Sequence, residues 1–231
     1  MDFIWEGFRE GVSLLARGDA DTWFAIALSL WTSVLAIAAA AALAVPLGTH
    51  LGLFRPRGTA LCVGAFRVGM SFPTVVIGLL LFGLLSRRGP LSGLGLLYTP
   101  WVIVVGEVLL AFPILASFAH AAAAGLDPRA KETVVTHGGG RSLARRLAVL
   151  ETRPLLVTSL LSAFGRCVTE LGIVTTAGGS LRFVTRTLPA QTQLEVSRGE
   201  FGRAMAAGMM LVLLACGAAL AGYLVDRRGE R

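Results

Sequence analysis

The chain has 231 residues, of which 55% are hydrophobic and only 15% charged, and its mean hydropathy is +0.72. A water-facing surface normally needs about a quarter of its residues charged, so these values exclude an ordinary soluble domain and point to one all-α membrane domain. The formal charge of +7 does not argue for nucleic acid, because Lys131 is the one lysine and the arginines lie between apolar stretches, where topology and anionic lipid account for them.

Residues 1–22 are mixed and acidic, with Trp5 and Phe8 among their apolar members, and read as an interfacial segment. Five apolar stretches follow, residues 23–47, 62–85, 101–124, 155–176 and 204–225. Each is long enough to cross about 30 Å of hydrocarbon as a helix. The polar run 48–58 ends the first. Pro73 lies inside the second, where it removes a backbone hydrogen bond and kinks the helix. The glycine- and proline-rich loop 86–100 returns to the membrane at Tyr98 and Trp101. A second long polar segment, 177–203, precedes the last stretch, and a basic tail, 226–231, follows it. One membrane domain therefore covers residues 23–225. Five crossings put the termini on opposite sides, and eleven basic residues against eight favour an N-terminus outside and a C-terminus inside.

Four charges fall within the apolar stretches: Arg67, Glu107, Arg166 and Glu170. Each costs roughly 2 to 3.5 kcal/mol in lipid, so each should face protein or water. Arg67, near the end of its span, is expected to snorkel. Arg166 lies one helical turn from Glu170, and the expectation is a cluster of Glu107, Arg166 and Glu170 that clasps the third and fourth spans. Cys62, Cys167 and Cys216 are far apart in apolar surroundings, and His50, His120 and His137 have no ligand spacing, so no metal site is expected.

The polar interval 125–154 is longer than a turn between two helices requires. Asp127 and Pro128 form a helix start, and Gly138, Gly139 and Gly140 permit a sharp bend. A second short helix then begins near Ser142. It places Leu143, Leu147 and Leu150 on one face at i, i+4 and i+7, with Arg141, Arg145 and Arg146 elsewhere. Such a ridge suits a docking partner.

These residues carry a resemblance. Glu132-Thr133-Val134, three residues and then Gly138 are similar to the E-A-A-x-x-x-G signature of inner-membrane permeases of ATP-binding-cassette importers, with Thr133 and Val134 in place of the two alanines and Leu150-Glu151 in place of a leucine-proline pair. Phe164-Gly165-Arg166 through Glu170-Leu171-Gly172 resembles the sequence that follows in the sulfate, molybdate and tungstate branch. Ser86-Arg87-Arg88-Gly89-Pro90-Leu91, Tyr98-Thr99-Pro100-Trp101 and Ser197-Arg198-Gly199-Glu200-Phe201 look most like tungstate permeases. The resemblance covers about three quarters of the chain.

It implies five membrane helices of the type I importer fold with cytoplasmic coupling helices, in the cytoplasmic membrane of a bacterium or archaeon. It also implies a homodimer, an ATPase subunit beneath each copy and an extracytoplasmic oxyanion-binding protein above. Glu132, Gly138, Gly139, Arg141, Leu143, Arg145, Arg146 and Leu147 would then couple the permease to the ATPase. ATP and magnesium would be bound by that partner, since this chain has no G-x-x-x-x-G-K-S/T loop, carries no cofactor and is not itself an enzyme. The cargo would be tungstate, with molybdate or sulfate as alternatives.

A dianionic cargo must be released again, which favours neutral donors: Ser71 and Thr74 beside Pro73, and Thr175 and Thr176. Each hydroxyl has the alternative of bonding a carbonyl of its own helix. Arg182 and Arg186, in the outer loop, have three readings: attracting the anion, meeting acidic patches of the binding protein, or touching lipid headgroups. A gradient-driven transporter or channel acting alone is the rival of another class. It would favour mid-membrane acidic residues and internal repeats, and no repeat of twenty to fifty residues is visible.

Overall fold

A computed structural model describes residues 2–127 and 140–229, and the described residues contain helices and no strand. In chain order the helices are α1 (Asp2–Arg17), α2 (Ala20–Phe54), α3 (Thr59–Met70), α4 (Thr74–Leu85), α5 (Pro100–Ala124), α6 (Arg141–Glu151), α7 (Arg153–Val168), α8 (Leu188–Arg198) and α9 (Phe201–Gly229). A π-helical turn, Val174–Gly178, follows α7. Helices α2, α5 and α9 are each long and apolar enough to cross a membrane, and the bent pairs α3/α4 and α6/α7 raise the number of candidate spans to as many as five.

α2 begins at Asp19, whose Oδ2 accepts hydrogen bonds from the Thr22 backbone N–H at 3.0 Å and from its hydroxyl at 2.7 Å. It does not stop at the polar run after Leu47. It continues through Pro46 to Phe54 and ends where Arg55 turns left-handed, with φ 42°. Packing against α5 holds those extra turns. A Cβ on Gly48 would lie 2.5 Å from the Ala116 carbonyl oxygen, and one on Gly52 would lie 2.6 Å from that of His120. The order of these contacts makes α2 and α5 parallel, joined along a seam of small residues that lets their backbones approach. The central core grows outward from this pair. Ile37, Ala40, Ala44, Leu110, Leu115 and Ala116 pack with Phe66 of α3 and with Ala163 and Cys167 of α7.

The stretch read as a second span is two helices meeting at 98°. Pro73 lacks an N–H and biases Phe72 away from helical geometry. The chain therefore turns through Ser71–Pro73, with the Ser71 and Phe72 N–H groups bonded back to Val68 and Gly69. The fourth stretch is broken as well: α7 ends at Val168, and the helix restarts only beyond Leu171. The Glu170 carboxylate accepts a hydrogen bond from the Ile173 N–H at 3.1 Å, capping that restart. α6 and α7 meet at 73° around the buried Thr152, whose hydroxyl donates to the Ala148 carbonyl at 2.7 Å.

At the other end of the sequence, α1 packs on α9. Gly7 and Gly11 bring its backbone against Phe201, Met209 and Ala206, while Trp5, Phe8 and Val12 stay exposed.

Candidate functional site

The two helix breaks touch each other. A Cβ on Gly172 would lie 2.7 Å from the Val75 backbone nitrogen and 2.9 Å from Thr74 Oγ1, and a Cβ on Gly78 would collide with Thr176 Oγ1. Three of the hydroxyls proposed for an anion path, those of Ser71, Thr74 and Thr176, thus lie at or beside the junction of these breaks. Three of the four hydroxyls also bond within their own segment. Ser71 donates to the Arg67 carbonyl at 3.5 Å, Thr175 to Leu171 at 3.0 Å and Thr176 to Gly172 at 2.6 Å. Ser71 and Thr175 are exposed, whereas Thr74 and Thr176 are half-buried.

Behind this junction stand two buried carboxyl groups. Glu107 is 1% exposed and Glu170 is 4% exposed. Ser33 donates to Glu107 Oε1 at 3.3 Å, and Glu107 Oε2 has no hydrogen-bond partner among the described residues. Arg166 does not join them: it is exposed and makes no ion pair among the described residues. The expected three-member clasp is therefore corrected to two separate partnerships, Glu107 with Ser33 and Glu170 with the Ile173 N–H. The cause is the break after Val168, which takes Glu170 out of the helical register in which it would stand one turn above Arg166. Replacing Ser33 by alanine is expected to cost about 1–3 kcal/mol by leaving Glu107 unpaired, while Glu107→Gln, which can keep the serine bond, should cost less. Thermal unfolding of the two variants in detergent checks the order.

The outer-loop arginines are already engaged. Arg182 Nε donates to both Asp21 carboxylate oxygens at 2.9 and 3.1 Å, Nη2 lies 2.8 Å from Oδ2, and the guanidinium sits over the Phe183 ring. The hydrogen bond and the charge of Asp21 hold Arg182 above its ordinary pKa. Arg186 donates from Nε to the Ser180 carbonyl at 3.2 Å, and burial lowers its pKa. Both pin the loop, Arg182 to the start of α2 and Arg186 to the loop's own backbone.

Of the residues read as coupling the chain to a partner, Glu132, Gly138 and Gly139 lie outside the described residues, and Arg141 is described only as the first residue of α6. The rest lie on α6. Ala144 and Ala148 are buried, Leu143 is 51% exposed and Leu150 is 65% exposed. The leucine ridge forms one wall of a groove of about 630 Å³, whose other wall is Val45, Pro46 and Thr49 of α2, with Arg145 and Arg146 also lining it.

Sequence reasoning passed over a buried polar row along α8 and its N-cap. Thr187, Gln191 and Glu195 are each at most 2% exposed, and each keeps one side-chain oxygen without a hydrogen-bond partner among the described residues, although Gln191 Nε2 donates to Glu195 Oε1 at 2.7 Å. The i, i+4, i+8 spacing of these residues was the available signal. Ser33, one of five buried hydroxyl residues on α2, was missed for want of any local cue to its partner.

No protein-family model matches the chain. Among curated proteins it is 33% identical to a probable anion ABC transporter permease protein of Haloferax volcanii, over 94% of this chain and 98% of that one. It is 31% identical to the tungstate uptake system permease protein TupB of Peptoclostridium acidaminophilum, over 93% of this chain and 94% of that one. The molybdenum transport system permease protein ModB of Escherichia coli (strain K12) is 26% identical, over 79% of this chain and 84% of that one.

Proposed function

Because the chain belongs to the family of anion ABC transporter permeases, we propose that the oxyanion it carries inward is tungstate. It is the permease subunit of an ATP-driven importer, a multi-pass inner-membrane protein whose ATP is hydrolysed by a separate subunit. The observation that carries the tungstate reading is the match to a tungstate uptake permease over 93% of the chain, against 79% for the molybdenum permease.

In this reading the chain pairs with a second copy in the type I importer arrangement, with its N-terminus outside and its C-terminus inside. Each copy rests on an ATPase subunit, which binds ATP and magnesium, and a tungstate-binding protein docks above. The segment from Glu132 through Gly138 and Gly139 to Arg141, Leu143, Arg145, Arg146 and Leu147 engages the ATPase. Support for coupling comes from the α6–α7 joint: a partner that moves α6 pulls on α7, which packs against α5 and α9. The hydroxyls of Ser71, Thr74, Thr175 and Thr176 lie on the anion's route, and the Glu107–Glu170 pair sits behind it as a structural support.

Reconstitution with the ATPase subunit and the binding protein in proteoliposomes tests this. Uptake should require ATP inside the compartment that holds the ATPase and should favour tungstate over molybdate and sulfate. Uptake driven by an ion gradient with no ATPase subunit would overturn the importer reading, and equal or better uptake of molybdate would overturn the choice of cargo.

A further inference from the structure

We propose that the exposed stripe Ser162, Arg166 and Thr169 lines a water-filled part of the anion's route, and that the Arg166 guanidinium is the group that meets the oxyanion there. The inference rests on the permease reading and adds to it a cation where neutral donors alone were expected.

α7 has two faces of opposite kind. Leu156, Ser159, Ala163 and Cys167 are buried, at i, i+3, i+7 and i+11, and Ala163 and Cys167 join the central core. On the other side, past Leu155 in the first turn, the exposed residues of α7 are Ser162 and Arg166, and Thr169 follows at the break. The spacing i, i+4, i+7 puts these three on one face. The long membrane helices expose a different surface: Val34, Leu35 and Leu43 on α2, and Val212, Leu213 and Leu220 on α9.

Depth sets this polar face apart from lipid. Arg166 lies midway along the apolar stretch 155–176. Ten residues of helix rise about 15 Å, farther than the side chain reaches, so Arg166 cannot snorkel to the headgroups. A charge in hydrocarbon is costly, and such residues face a partner or a water-filled cavity. Within the chain the partner is missing. Glu170 is turned away at the break to cap Ile173, and Arg166 makes neither an ion pair nor a hydrogen bond among the described residues.

The chemistry of the stripe selects an anion. The Ser162 hydroxyl donates to the Thr158 carbonyl and the Thr169 hydroxyl to the Gly165 carbonyl, each at 2.9 Å. With those protons spent, as they are for Ser71, Thr175 and Thr176, the free donors are the N–H groups of Arg166, set in a planar fork that fits an oxyanion. A cation would be repelled here, and an uncharged solute would leave the guanidinium unmatched. Because the guanidinium is open to water, it trades hydration for the anion and back again, and the contact stays weak enough for release.

The test reads water access and local charge. Cys62 and Cys216, the exposed cysteines, are replaced by serine, and the buried Cys167 is kept. The complex of permease and ATPase is placed in lipid nanodiscs. Ser162→Cys is then reacted with an anionic and with a cationic methanethiosulfonate reagent, with and without ATP. The position should react well above the background of the cysteine-depleted chain in at least one state, and it should favour the anionic reagent. Adding Arg166→Gln should cut that preference about tenfold, whereas Arg166→Lys should keep most of it. Sodium tungstate, at matched ionic strength, should slow the anionic reagent when Arg166 is present and leave it unchanged with Arg166→Gln.

A position closed to both reagents in both states would mean that the face packs against protein or lipid, and the proposal falls. A preference that survives Arg166→Gln, or labelling that tungstate does not slow, overturns it too. If Ser162→Cys does not assemble, Thr169→Cys, on the other side of Arg166, is read in the same way. Uptake in liposomes is measured separately. Its failure would overturn the importer reading, while the labelling rates stand or fall on their own.

Discussion

Gly172→Leu is expected to abolish tungstate uptake and to cost about 3 kcal/mol or more in stability, at the upper end of what overpacking does. The reason is what its side chain would meet. The nearest atom to a new Cβ is the Val75 backbone nitrogen at 2.7 Å, in the first turn of α4, and the next is Thr74 Oγ1. A backbone atom at the start of a helix cannot swing aside as the end of a flexible side chain can. The substitution would therefore separate α4 from the helix restart and open the junction where the candidate pathway hydroxyls meet. Gly165, also within the family-like stretch, has no atom within 4 Å of its hypothetical Cβ, so Gly165→Leu is the control. Thermal unfolding midpoints in detergent, with uptake measured in liposomes, should separate the two variants clearly. A Gly172 variant that unfolds no earlier than the Gly165 variant would show that this contact does not hold the site together.

Ala148→Leu should uncouple the machine instead of unfolding it. Ala148 is 1% exposed and lies one turn before Thr152, whose hydroxyl donates to the Ala148 carbonyl. Adding bulk there lifts α6 from its seat by strain of about 1–3 kcal/mol. A displacement worth about 1.4 kcal/mol changes an equilibrium tenfold. ATP hydrolysis by the assembled complex is expected to continue while tungstate moved per ATP falls about tenfold. Parallel assays of phosphate release and uptake give that ratio, and an unchanged ratio would remove α6 from the coupling path.

Local pattern made much of this architecture legible. The apolar runs of α2, α5 and α9 are continuous enough that length alone identifies them as membrane helices. Pro73 announces a disturbance in the second stretch, because the missing N–H is visible in the sequence. The size of the turn, 98°, is not, since it depends on what α4 packs against. The break near Glu170 had no proline to announce it, and assuming an unbroken helix there produced the expected Arg166–Glu170 pair. The length of α2 was underestimated for a related reason. Its last turns look polar and glycine-rich in isolation, and they are helical because α5 offers Ala116, Ala119 and Ala123 against Gly48 and Gly52. The leucine periodicity of α6 identified a real face, but the groove behind it needs α2, more than ninety residues earlier.

The contact between α1 and α9 bears on how the molecule is made. The ribosome releases α1 long before α9 exists, so the close-fitting face of Gly7 and Gly11 has no counterpart during most of synthesis. α9, made after α2 through α8, is therefore the helix that captures α1. Until then α1 has only the bilayer surface to rest on, and the exposed Trp5, Phe8 and Val12 are suited to keep it parked there. Closure of this clasp therefore waits until α2 through α8 have been made.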